Sequence, residues 1–147
     1  MVEIRPYQES DFEEVVNMYR EILLEVYPNH TVKPLQYMAK LVLAWIDFNY
    51  DIMVTHKYGE ITGFSLGIVD SMGGVVEDYY LCEIIYVKPE HRKGRSAYLH
   101  YHTMIEYAKS QNWILGGNAS TSTSSSDIAK KIGEVTYYHY ERLPNDT

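Results

Sequence analysis

The sequence predicts an α/β fold, a mixed central sheet flanked by helices in the order β-α-α-β-β-β-α-β-α-β. Three observations carry that expectation. Two early stretches repeat apolar residues at helical spacing. A run of strand-like segments follows, and Lys57-Tyr58-Gly59-Glu60 reads as a hairpin turn between two of them. The longest strand, residues 79–88, then passes through a basic, glycine-bearing loop into another helix.

Residues 2–5 form the first short strand. Ser10 and Glu13 have the spacing of a capping box, with a helix running to about residue 26. Its buried face is Phe12, Val15, Val16, Tyr19, Ile22, Leu23 and Val26. Tyr27-Pro28-Asn29-His30 breaks it. Pro34 suits the first turn of a second helix, whose stripe is Met38, Leu41, Val42 and Trp45. Residues 51–56 and 61–69 are strands, and residues 70–76 form a loop with Gly73 and Gly74. After the basic loop, Ala97, Tyr101, Met104, Ile105 and Ala108 make the inner face of a helix. Residues 113–116 are a short buried strand. A Ser/Thr run at 120–126 leads into a brief helix at 127–132 stopped by Gly133, and residues 134–143 are the final strand.

The 147 residues, 46% of them hydrophobic, predict one domain over 1–147 rather than a disordered chain. The net charge of −7 argues against a nucleic-acid partner, which needs a basic footprint. It is compatible with a cationic or amine acceptor. A single cysteine, Cys82, excludes an intrachain disulfide and fits a reducing compartment. No apolar run is long enough to span a membrane, and Met1-Val2-Glu3-Ile4-Arg5 does not read as a signal peptide. The expected location is therefore cytoplasmic, with no membrane partner.

The most informative stretch is residues 80–97, read as strand, loop and helix start. The first turn of a helix has backbone N–H groups without intrahelical partners, at the positive end of the helix dipole. A phosphate fits there. Gly94 lets the backbone approach it closely, and Arg92, Lys93 and Arg95 add charge.

From Ile4-Arg5-Pro6 to Tyr140-Glu141-Arg142-Leu143 the order of elements resembles the GNAT superfamily of acyl-CoA-dependent N-acyltransferases. The resemblance is most specific in Tyr86-Val87-Lys88-Pro89-Glu90-His91-Arg92-Lys93-Gly94-Arg95-Ser96-Ala97. It implies that the strand end at Ile85, Tyr86 and Val87 and the loop at His91, Arg92, Lys93, Gly94, Arg95, Ser96 and Ala97 hold the pantetheine and pyrophosphate of acetyl-CoA, the co-substrate. The family's loop pattern is Gln/Arg-x-x-Gly-x-Gly/Ala; here His91 takes the first place, Gly94 matches and Ser96 takes the last. Cys82-Glu83-Ile84-Ile85-Tyr86-Val87 with His91-Arg92-Lys93-Gly94-Arg95 is most similar to a branch often encoded by bacteriophages. Many members also carry Asn-x-x-Ala-x-x-x-Tyr-x-x-x-Gly-Phe near the C-terminus. Counted back from Gly133, Ser122 stands at the Asn place, Ala129 at the Tyr place, and Glu134 replaces Phe. The tyrosine that serves as general acid in the family is thus missing from its place. Tyr138, among Tyr137, Tyr138 and Tyr140, is the first choice to replace it; packing on a strand is the alternative reading of these rings.

The chemistry can be argued from the residues. Amide formation from a thioester needs a neutral amine, hence a base acting directly or through water. Glu83 interrupts an apolar strand just upstream of the anion loop. Strict alternation sets it on one face with Leu81, Ile85 and Val87, which would raise its pKa toward a useful range. A sheet-surface Glu paired with a cation is the structural alternative. His100 and His102, two apart on a helix, face different directions and cannot share a metal, so no metal is expected. Cys82 alternates away from Glu83 as a small core residue. The expected function is N-acetylation of an amine acceptor, small molecule or protein, by a chain compatible with a homodimer. The alternative is a catalytically weak or silent acyl-CoA-binding or protein-interaction domain on the same fold, which Ala129 favours.

Overall fold

The computed structural model describes residues 1–71 and 78–117. Strand β1 is Glu3–Pro6, followed by helices α1, Phe12–Val26, and α2, Leu35–Asp47. Strands β2, Asp51–Lys57, β3, Glu60–Ser71, and β4, Asp78–Val87, come next. Helix α3, Ser96–Ser110, leads to β5, Ile114–Gly117. The sheet runs β1-β2-β3-β4-β5, with every described pair antiparallel except β4 and β5. A parallel neighbour requires a crossover, and α3 supplies it. This is the expected mixed sheet flanked by helices, in the expected order. The expected loop at 120–126, helix at 127–132 and strand at 134–143 lie outside the described residues.

The two faces of the sheet carry different interiors. On one, Val15, Val16 and Met18 of α1 and Met38 and Val42 of α2 pack on Ile52, Val54, Phe64, Leu66 and Tyr86. On the other, Met104 and Ala108 of α3 pack on Tyr80, with Cys82, Ile85, Trp113 and Leu115 around them. The β2–β3 hairpin turns on Tyr58 and Gly59, whose φ values of 52° and 79° are both left-handed, the signature of a type I′ turn. At the start of α1 the expected Ser10–Glu13 capping box gives way to another arrangement. The Gln8 N–H donates to the Asp11 carboxylate at 2.8 Å, and Arg5 donates to the same carboxylate through both terminal nitrogens at 2.6 and 2.9 Å. Asp11 is buried, and the Arg5 guanidinium holds its carboxyl below the usual range.

Two bulges interrupt the ladders. Thr55 pairs with Gly63 but His56 with Ile61, so Thr62 is the extra residue of β3. Leu66 pairs with Ile84 but Gly67 with Cys82, so Glu83 is the extra residue of β4. The second bulge corrects the sequence reading. Tyr80 and Cys82 belong to the α3 face, whereas Ile84 and Tyr86 pack on the α1–α2 face. The parity flips at Glu83, so strict alternation with Leu81, Ile85 and Val87 does not hold, and Glu83 is exposed. No helix among the described residues is long and apolar enough to cross a membrane.

Some glycines here are demanded by the fold. A Cβ on Gly67 would lie 2.1 Å from the Tyr80 hydroxyl oxygen. Gly67→Ala should therefore displace a fully buried ring and destabilise by about 1–3 kcal/mol. Urea unfolding should show it as a lower midpoint, with near-UV dichroism reporting the moved tyrosine.

Candidate functional site

The loop between β4 and α3 is fastened from both sides. Pro89–His91 forms one 3-10 turn, and the N–H of His91, Arg92 and Gly94 bond to the carbonyls of Lys88, Pro89 and His91. Toward α1, Lys88 pairs with Glu14, and Arg92 donates to both oxygens of Glu25 at 2.6 Å. Arg92 also donates through Nε to the Val87 carbonyl at 2.9 Å and lies over the Tyr86 ring. The Glu25 carboxylate raises the guanidinium pKa. Arg92 is thus committed to Glu25 and Val87 rather than free for a ligand. Lys93 and Arg95 are exposed and have no ion-pair partner among the described residues, and Arg95 lies 5.1 Å from the Tyr98 ring centre. His91 faces Glu60 across 3.7 Å.

Helix α3 begins at Ser96, and its first intrahelical bond is from the Leu99 N–H to the Arg95 carbonyl at 2.9 Å. The N–H groups of Ser96, Ala97 and Tyr98 precede that bond and are the helix's orphan donors. Beside them Gly94 is exposed. A Cβ there would meet only the His91 carbonyl, at an ordinary 3.4 Å, and its φ is not left-handed. The fold has room for a side chain at this place.

Beneath this helix end lies a feature that the sequence reading missed. Ser96, Thr62, Thr55, His100 and Ser65 are all fully buried. Thr62 donates to Thr55 Oγ1 at 2.9 Å, and its own oxygen stands 2.8 Å from Ser96 Oγ. Since Thr62 has one hydroxyl proton, Ser96 is the donor in that pair. His100 bridges onward, with Nε2 3.2 Å from Thr55 Oγ1 and Nδ1 2.8 Å from Ser65 Oγ. Burial pushes the imidazole down to about 3, so it is neutral and donates through one nitrogen only. The buried stripe of α3 is Ser96, His100, Met104 and Ala108; Met104 and Ala108 were expected there, while Ala97, Tyr101 and Ile105 are half-buried beside it. The i, i+4 spacing of Ser96 and His100 was the available signal. With its hydroxyl turned inward, Ser96 can offer a ligand its backbone N–H alone.

Strand β4 leaves β5 after the Cys82–Gly117 pair, and no described residue pairs with that edge beyond it. The Lys88 N–H bonds to the Thr62 carbonyl. Antiparallel alternation therefore turns the backbone groups of Tyr86 and Ile84 toward β3 and those of Ile85 and Val87 toward the opposite edge, the β5 side. Tyr86 is buried against Phe64, so neither its ring nor its backbone reaches that edge. Cys82 is half-buried, and desolvation pushes its thiol up to about 12, which makes it inert at neutral pH. Tyr101 of α3 is a phenol that the sequence reading treated only as core. Burial, with the nearby Cys82, raises it to about 12. Tyr138 and Ala129 lie outside the described residues.

The arrangement can be set beside known proteins. No protein-family profile and no curated protein matches the chain. Solved structures do. A predicted acetyltransferase with acetyl-CoA from Clostridium acetobutylicum superposes with a TM-score of 0.78 at 13% identity, over 97% of this chain and 96% of that one. The ribosomal-protein-alanine N-acetyltransferase of Brucella melitensis biovar Abortus 2308 gives 0.77 at 16% identity, over 99% and 100%. The chain has the GNAT acetyltransferase fold. A transcriptional regulator from Bacillus halodurans C-125 is also similar, with a TM-score of 0.75 at 16% identity over 97% and 99%. The GNAT fold thus comes with more than one described role, and the site has to carry the functional argument.

The buried imidazole makes a prediction about pH. Above the ordinary value of 6.5, neither folded nor unfolded His100 is charged. Below it the unfolded chain takes up a proton that the folded chain refuses until about pH 3. Folding should lose about 1.4 kcal/mol per pH unit from this group, or about 2 kcal/mol between pH 6.5 and 5. Urea titrations at several pH values should show that extra slope in the wild type and its absence in His100→Gln. Equal slopes would mean that His100 charges within the fold.

Proposed function

We propose that this protein is an N-acetyltransferase that moves an acetyl group from acetyl-CoA to an amine. The observation that supports it most is the exposed Gly94 beside the orphan N–H groups of α3, at the end of a strand that no described residue pairs on its β5 side beyond Cys82. Acetyl-CoA supplies an activated thioester. Ser96, Ala97 and Tyr98 would hold its pyrophosphate through backbone N–H groups, with charge from Lys93 and Arg95. Ile85 and Val87 present N–H groups to the β5 side of the strand, where they can hold an amide chain or a developing oxyanion. The strand Glu with His91-Arg92-Lys93-Gly94-Arg95 keeps its similarity to the phage-encoded branch.

Glu83 is the base in this reading. At the bulge its carboxylate is exposed and can take a proton from the acceptor through water. For the leaving thiolate, two phenols are the candidate acids. Tyr138 follows from the sequence; Tyr101 is the phenol beside Cys82, protonated at neutral pH. Phe at either position keeps the ring and removes the proton, so the variant that loses turnover identifies the acid. The second reading, a silent acyl-CoA-binding domain, has the support of Ala129 at the place where the family's tyrosine usually stands.

Two measurements test the proposal. Gly94→Glu puts bulk and negative charge where the pyrophosphate would sit, at a position where the fold has room for a side chain. CoA affinity by calorimetry should fall by more than about tenfold, or about 1.4 kcal/mol, with an unchanged melting temperature. Unchanged affinity would move the site elsewhere. Glu83→Gln should lower turnover by about 10² to 10⁴ with CoA affinity intact. Wild-type turnover across the pH range would remove Glu83 from the mechanism, and CoA binding without thiol release from any amine would favour the silent domain.

A further inference from the structure

At the end of the sheet away from the anion loop, a cavity of about 370 Å³ opens where β2 begins and β3 ends. Four rings line it: Phe48, Tyr50, Tyr80 and Tyr107. Phe48 and Tyr50 stack at 5.8 Å, and Tyr80 and Tyr107 meet edge to face at 5.3 Å. Its charged group is Asp51, and no basic residue lines it among the described residues. The Tyr80 hydroxyl donates to Asp51 Oδ2 at 2.5 Å, which fixes the carboxylate. Oδ1 has no hydrogen-bond partner among the described residues. Gly67, which a side chain would fill, is what lets Tyr80 hold that position. Phe48 is 70% exposed and Tyr107 40%, so apolar surface stands open at the mouth.

Three kinds of ligand can be weighed against this lining. An anion would meet Asp51 with no cation to offset it. A neutral apolar molecule would cover Oδ1 without replacing its water, and leaving an acceptor unpaired is costly. A cation with an apolar body satisfies the carboxylate and meets ring faces, which attract positive charge. We propose that this cavity binds a small organic ammonium. It shares no residue with the anion loop, and the proposal does not rest on the acetyl-transfer reading.

The test uses choline and its neutral carbon isostere, 3,3-dimethylbutan-1-ol, titrated into the full-length protein by calorimetry. Choline should bind saturably, and the isostere should bind weaker by about tenfold or more. Asp51→Asn retains an acceptor for the Tyr80 hydroxyl but loses the charge, and should weaken choline by about tenfold. Phe48→Ala changes an exposed ring that the fold does not need, and should weaken choline severalfold at an unchanged melting temperature. Equal binding of choline and its isostere, unchanged choline affinity in Asp51→Asn, or no saturable choline binding would each overturn the proposal.

Discussion

The hydrogen-bond chain under α3 is the interaction on which the rest of this structure depends. Five polar side chains lie fully out of water, and each would cost about 1–3 kcal/mol if left unpaired. Donor directions decide how they are satisfied. Ser96 donates to Thr62 and Thr62 to Thr55. With Thr55 then donating to His100 Nε2, the imidazole keeps its proton on Nδ1 for Ser65. A one-way chain of this kind tolerates one relative placement of β2, β3 and α3. Apolar contacts could accept a shift of the helix along the sheet; this chain could not, because each oxygen has one proton to give.

The consequence falls on the first turn of α3. Ser96 is both a member of the buried chain and the first residue of the helix, so the placement of the orphan N–H groups follows from the interior. The ion pairs of Lys88 with Glu14 and Arg92 with Glu25 fasten the preceding loop to α1 from the other side. Solvent-accessible pairs of this kind, one half-buried and one exposed, are worth about 1 kcal/mol or less each, so the buried chain is the stronger constraint. In the proposed reading, an anion at this helix end would meet donors already in position, with little ordering left to be done on binding.

Much of the fold was legible in the chain because its signals are local. Tyr58-Gly59 between strand-like segments announces a hairpin, and both residues adopt the left-handed backbone such a turn needs. The stripes of α1 and α2 appear as spacing. What could not be read depends on partners distant in sequence. Glu83 was assigned a face by alternation, but the bulge is set by how β3 registers against β4, and one extra residue reverses the face. His100 was weighed in the sequence only against a metal role with His102; its partners Thr55 and Ser65 lie 45 and 35 residues away. Arg92 reads as a phosphate ligand until Glu25, 67 residues earlier, claims its guanidinium.

The most direct test of this account is a crystal structure of the full-length protein grown with CoA. The account predicts the pyrophosphate on the backbone N–H groups of Ser96, Ala97 and Tyr98, with Gly94 against it, Arg92 still bound to Glu25, and the pantetheine along Ile85 and Val87. A pyrophosphate bound by the Arg92 guanidinium after it has left Glu25, or CoA seated away from the α3 terminus, would contradict it.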